Sequence, residues 1–218
     1  MVEAQHVVST SRIVDTMAEQ ALLEDILEES KPPIPKEAAD LHFLLFSPFR
    51  YEPRQPTGSR FRAVHEPGVF YAAETVRTAA VEVSYWRWRF LLDTAGLERL
   101  QPCSFTAFKV PIKTSCIDLC KPPFVSESSK WLHPRDYSAT QALGRIAREA
   151  GIGAIMYQSV RDPEKHFCVA VLTPLAFAAK KPDTATQTWM LAISTEEAIW
   201  MRQDDESFSY QTDCWEIL

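Results

Sequence analysis

A chain of 218 residues, 46% hydrophobic and 24% charged, has the balance of one large globular domain or a domain with an arm, not of a disordered segment. Its 23 Lys and Arg against 29 Asp and Glu leave a net charge of −6, the wrong sign for a dedicated nucleic-acid binder, so no direct nucleic-acid contact is expected. No apolar run reaches the roughly 20 residues of a membrane helix, the opening residues lack a secretory pattern, and five Cys without a CxxC pair predict a reducing cytoplasm, not a disulfide framework.

In chain order, residues 12 to 29 predict a helix. Ile13, Met17, Ala21 with Leu22, and Ile26 recur at helical steps, Ser11 is available as N-cap, and Glu19, Glu24, Asp25, Glu28 and Glu29 form an acidic outer face. The stretch Lys31-Pro-Pro-Ile-Pro35 ends it as a stiff spacer. Residues 1–36 therefore read as an arm, docked or swapped onto something, self-association included, and residues 37–218 as the main body. There, Leu41 to Phe49 is an apolar run suited to a buried strand. Arg50, Arg54, Arg60 and Arg62 surround the Pro- and Gly-containing loop Tyr51 to Ser59.

A strand is expected over Gly68 to Ala72 and a helix over Thr75 to Asp93, with Val76, Ala79, Ala80, Val83, Trp86 and Phe90 as its apolar positions. Ser104 to Ile112 predicts another strand. Ser138 and Gln141 have capping-box spacing ahead of Leu143, Ile146, Ala147 and Ala150, with Gly151 after the helix end. Strands follow at Ile152 to Gln158, Phe167 to Leu172 and Thr188 to Ile193. The irregular alternation predicts an α+β fold with a mostly antiparallel or mixed sheet.

Walker, GxGxxG, HExxH and GxSxG signatures are absent from the sequence. Cys116, Cys120 and His133 lack a fourth ligand at sensible spacing, so no metal site is expected. In Trp86-Arg-Trp-Arg89, helical spacing puts Trp86 on the apolar side and Arg87 and Arg89 at the surface. Glu82 is the anomaly. It lies between Ala79 and Trp86 beside the face that should pack on the core, where a carboxylate must be paired or line a cavity. The small residues Ala72, Ala73, Ala79 and Ala80 leave room for a ligand there; a plain salt bridge to Arg77 or Arg89 is the competing reading.

Arg60-Phe-Arg62, then Phe70-Tyr-Ala-Ala, then Ala79-Ala-Val-Glu82, and far downstream Tyr157-Gln-Ser159 resemble, in order and spacing, the RES domain, over about Phe43 to Phe177. Arg60 fits the family Arg by its Gly-Ser-Arg-Phe context, and Arg62 is the second candidate. The resemblance implies a fold like that of ADP-ribosyltransferases and the role of a toxin in a toxin–antitoxin module. It also implies an Xre-type DNA-binding antitoxin as partner, covering the active site, and NAD as substrate with no cofactor. By the same resemblance Arg60 holds the pyrophosphate, Tyr71 stacks on nicotinamide or its ribose, Glu82 serves the scissile ribose, and Ser159 binds nearby. The implied outcome is cleavage of the nicotinamide–ribose bond, by hydrolysis or phosphorolysis. Mono-ADP-ribosylation of a protein and a catalytically silent binding module are the alternatives, and the intact Arg, Tyr, Glu and Ser set speaks against silence.

The residue types suit that reaction. Nicotinamide leaves a cationic precursor as a neutral base, so no acid is needed to protonate it, and one carboxylate suffices where ordinary glycosidases use two. Such a preorganised group is worth about 3 to 4 kcal/mol of barrier. An Arg fork binds pyrophosphate bidentately, and a Tyr face attracts a cationic ring by about 0.5 to 2 kcal/mol. Ser159 also precedes a Val-Arg-Asp-Pro turn that its hydroxyl could simply fix, and Arg77 and Arg161 could join a basic pocket.

Overall fold

In the computed structural model, residues 1–4, 13–51, 57–203 and 206–216 are described; the expected N-cap Ser11, Arg54 and most of the loop around it lie outside them. Among the described residues two sheets carry the fold. The five-stranded sheet has the order β1-β3-β7-β8-β9, from β1 (Val2–Glu3), β3 (Cys103–Ala107), β7 (Gln187–Ile193), β8 (Glu197–Arg202) and β9 (Ser207–Gln211). Every pairing in it is antiparallel. The four-stranded sheet has the order β2-β6-β5-β4, from β2 (Phe70–Ala73), β4 (Cys116–Asp118), β5 (Ala154–Gln158) and β6 (Phe167–Val171), with β4 parallel to β5 and the other pairs antiparallel. The fold is α+β with mixed and antiparallel sheets, as the irregular alternation predicts.

The described α-helices are α1 (Met17–Glu29), α2 (Phe43–Arg50), α3 (Val76–Leu92), α4 (Ser128–Trp131), α5 (Ser138–Glu149) and α6 (Asp213–Glu216), with short 3-10 turns at Lys36–Ala38, Phe124–Glu127 and Pro174–Ala176. No described helix is long and apolar enough to cross a membrane. In β7, Trp189, Leu191 and Ile193 alternate inward at the two-residue period of a strand. With Trp200 of β8 and Tyr85, Trp88 and Leu91 of α3 they form one core. A second core gathers Phe61, Ala147 of α5, and Ile155, Tyr157 and Cys168 of the smaller sheet.

Several expectations change. Leu41 to Phe49 is not a strand: helix α2 spans Phe43–Arg50, capped by the His42 ring, which accepts from the Leu44 N–H at 3.3 Å. A continuous apolar run does not distinguish strand from buried helix by period. In the helix Leu45 and Phe49, with Leu41 ahead of it, dock beside Phe70 and Val171. Helix α1 begins at Met17, and its capping box uses Thr16 and Glu19. Its apolar stripe Met17, Leu22 and Ile26 is exposed. The first residues are docked on the five-stranded sheet, where β1 pairs Val2 with Thr106 and Glu3 with Phe105.

The capping box expected at Ser138 is also absent; Tyr137 is the N-cap and makes no side-chain cap. Gln141 works across the fold instead, donating from Nε2 to the carbonyls of Thr57 and Ser59 at 2.8 and 3.1 Å. Gly151, at φ +69, takes the left-handed turn after the helix that its place predicts. Helix α3 has the expected span, but its phase differs. The core receives Ala80, Val81, Tyr85, Trp88 and Leu91, with Thr78 and Ser84 buried among them, whereas Trp86 and Phe90 are exposed.

Candidate active site

The face of α3 rotated away from the core borders a cavity of about 270 Å³ lying against the smaller sheet. Its walls are Ala79, Glu82, Val83 and Trp86 from α3, Tyr71 to Ala73 from β2, Tyr157 and Cys168 from β5 and β6, Ser59, Arg60, Tyr137 and Arg161 from loops, and Met1. Four of the five residues singled out in the sequence meet here or directly behind it; Arg62 does not.

Arg60 reaches the cavity because of how its loop is folded. Ser59 and Arg62 exchange backbone hydrogen bonds at 2.8 and 3.1 Å, leaving Arg60 and Phe61 as the two tip residues of a tight turn. Phe61 goes into the core and Arg60 the other way. Helix α5 clamps this turn from outside through Gln141 and through Arg148, which donates to the Phe61 carbonyl at 3.2 Å. The approach needs Gly144, since a Cβ there would stand 2.6 Å from the Phe61 oxygen. On the inner side the Phe61 N–H donates to the Tyr71 hydroxyl at 3.0 Å, and that hydroxyl pairs with Ser59 Oγ at 2.9 Å. Burial of the hydroxyl raises the Tyr71 pKa above its ordinary value.

The Arg60 guanidinium is buried, donates from Nη1 to the carbonyls of Trp131 and His133 at 2.8 and 3.0 Å, and lies 4.7 Å from the Tyr137 ring centre. Its Nη2 has no hydrogen-bond partner among the described residues. A buried cationic donor without an acceptor is costly, and Arg148 and Arg161 also hold buried donors without a hydrogen-bond partner among the described residues. Arg62 is buried away from the cavity, donating to the carbonyls of Glu66 and Tyr51 at 2.8 and 3.1 Å.

Glu82 is paired and also lines a cavity. The Ser159 hydroxyl donates to Oε1 at 2.6 Å, Arg161 Nη1 stands 3.5 Å from Oε2, and the side chain keeps 22% of its surface exposed. The salt-bridge partner is neither Arg77 nor Arg89. Arg77 lies over Phe208 and Arg89 pairs with Asp93 at 3.1 Å, while Arg161 arrives from 79 residues away in sequence. Arg161 is further held by the Tyr137 hydroxyl at 2.8 Å and by the Tyr85 ring, 4.5 Å below its guanidinium. Burial is the largest single effect and works against its charge, but the Glu82 carboxylate together with the Tyr137 and Tyr85 hydroxyls more than offsets it and the pKa is raised.

Ser159 is 1% exposed and stands behind Glu82, outside the cavity lining. Its oxygen accepts from the Asp162 N–H at 3.1 Å while its O–H donates to Glu82, so fixing the turn and aiming the carboxylate are one act. Asp162, held by Thr78 Oγ1 at 2.8 Å and the His166 ring at 3.0 Å, anchors the same turn to α3. Burial and the Glu82 charge hold the Cys168 thiol well above its ordinary pKa, so it stays protonated and is a poor nucleophile. Tyr157 is likewise raised, first by burial, and keeps a neutral phenol at the cavity wall.

Motif order along the chain and this convergence in space agree with a comparison against protein families, in which the model described as RES domain matches residues 34–194. The chain belongs to the RES domain family. RES domains are associated with toxin–antitoxin modules and NAD-related activity, and pair with antitoxins. Comparison with curated proteins finds no match.

Sequence reading of this RES domain passed over Tyr137 as a site residue and gave Arg161 only a place in a basic pocket. Arg161 carried one usable signal, its position two residues after Ser159 in the same turn. Trp86 carried another, one helical turn beyond Glu82.

Proposed function

We propose that this RES domain is the toxin of a two-gene module, that it binds NAD in the cavity and breaks the nicotinamide–ribose bond, and that its partner is an Xre-type antitoxin. The observation that carries the reading is a carboxylate aimed into a small-residue cavity that also holds a buried arginine with an unmet donor. Tyr71 offers its ring to the nicotinamide: its hydroxyl is tied down, while the side chain as a whole is 38% exposed. Glu82 accepts a hydrogen bond from the ribose 2′-OH and stabilises the oxocarbenium charge as neutral nicotinamide departs. Ser159 meets one of its oxygens and Arg161 the other, which leaves lone pairs for the ribose. Arg60 Nη2 binds a pyrophosphate oxygen.

Incubating the purified chain with NAD and separating the products tests the reading. Free nicotinamide with ADP-ribose identifies water as acceptor, phosphorylated ADP-ribose identifies inorganic phosphate, and label on protein identifies transfer to a side chain. Unchanged NAD alongside retained antitoxin binding overturns the enzymatic reading.

A further inference from the structure

A second hollow, of about 490 Å³, continues along α3 from the first and shares Trp86 and Tyr137 with it. Trp86, Arg89, Phe90 and Asp93 of α3 and its C-cap line one side, and Pro134, Arg135 and Tyr137 line the other. Two aromatic side chains one turn apart stand open there, Trp86 at 42% and Phe90 at 53%, with no core to explain them. The indole is nonetheless fixed, edge-on to Tyr85 at 5.3 Å and 5.7 Å from the Arg161 guanidinium. A rigid, half-open indole is a stacking platform for a heteroaromatic ring. Arg89 is neutralised by Asp93 at 3.1 Å, whereas the exposed Arg135 has no carboxylate partner among the described residues.

Size points the same way. At 270 Å³ the first cavity falls short of the roughly 300–1,000 Å³ of pockets that enclose drug-sized ligands, and a dinucleotide is larger still. It holds the nicotinamide riboside end with the phosphate that Arg60 meets, and the rest of the molecule must continue beyond it. The shared Trp86–Tyr137 wall marks the direction.

From this geometry we infer that the second hollow is the subsite for the adenosine-phosphate half of the dinucleotide, with adenine stacked between Trp86 and Phe90 and a phosphate oxygen met by Arg135. The inference rests on reading the first cavity as the NAD site.

The test separates the two. ADP, which lacks the scissile bond, is titrated into the full chain by calorimetry, and turnover of NAD is compared with that of nicotinamide mononucleotide, which lacks the adenylate half. ADP should bind the native chain, and Trp86→Ala and Phe90→Ala should each weaken it by about tenfold or more. The native chain should favour NAD over the mononucleotide in kcat/KM by at least about tenfold, and Phe90→Ala should shrink that ratio by a similar factor. Phe90 is exposed, so its variant should fold; an unchanged melting temperature verifies this. No ADP binding to the native chain, binding indifferent to both aromatic variants, or equal use of the two substrates overturns the subsite. Cleavage of both substrates alike would sink the subsite and leave the NAD reading standing. ADP binding that depends on Trp86 and Phe90 without any NAD cleavage would do the reverse.

Discussion

On the side of α3 that faces the five-stranded sheet, Trp88 donates its indole N–H to the Thr195 carbonyl at 3.1 Å, and Ser84 receives the Trp200 indole at 2.8 Å while donating to Ala80 at 2.8 Å. Each of these polar groups has found a partner inside the protein, and aromatic rings fill the space between. On the other side, Ala79, Glu82, Val83 and Trp86 face a void, and the guanidinium across it keeps an N–H unused. One helix thus shows a face complete in itself and a face that something else must complete. An unmet polar group beside empty space separates a site from a core more sharply than hydrophobicity does, because apolar and small residues occur on both.

The comparison can be broken at its two ends. Glu82→Gln should lower kcat for NAD by about a thousandfold, read from nicotinamide release, with a smaller loss in thermal melts because the buried Arg161 guanidinium loses its countercharge. A large melting loss with activity retained would show that Glu82 belongs to the structural face. Trp88→Ala should do the opposite, costing about 3–5 kcal/mol in a urea titration because it opens a hole beside Tyr85 and Trp215.

Arginine substitutions sharpen it. Arg60→Ala should raise KM for NAD about tenfold to a hundredfold. Arg62→Ala, two residues on, should lower stability with KM unchanged, since its guanidinium ties loop carbonyls outside the cavity. Ser159→Ala should cut kcat by about tenfold through misdirection of the carboxylate, with KM little affected. Equal changes in KM and stability would mean that Ser159 only secures its turn.

The smallest effect is a pH dependence. The Asp162 hydrogen bond raises the His166 pKa. A His raised on folding stabilises fully below its ordinary pKa of about 6.5, and that contribution is lost as pH climbs through the raised value. The native chain should therefore gain stability over His166→Gln as pH falls, seen in melts across that range, and the two should converge in alkali.

Much of this was legible in the sequence. Helices α3 and α5 and the strands β5 and β6 follow from periodicity and turn residues, and the odd place of Glu82 on its helix marked the site. The phase of α3 was not legible, because Thr78 and Ser84 look like surface residues until Asp162 and Trp200 supply their partners. Helix α2 was hidden by a mostly apolar run, in which either periodicity fits. Strands β8 and β9 were passed over because Ser, Thr and Glu crowd the turn between β7 and β8, although Ser194 there receives the N–H groups of Glu196 and Glu197, both at 3.2 Å. The pairing of Glu82 with Arg161 joins residues 79 apart, a relation that local pattern does not encode.

The Tyr71 hydroxyl is the peg on which the turn bearing Arg60 hangs, while the ring of the same residue is the open surface beside it. Platform and neighbouring cation are thus mechanically geared: a change made at Tyr71 to retune one is transmitted to the other. Tyr71→Phe uncouples them, preserving the ring and releasing the turn, so the pocket's aromatic and ionic halves can be varied separately only by accepting a looser loop.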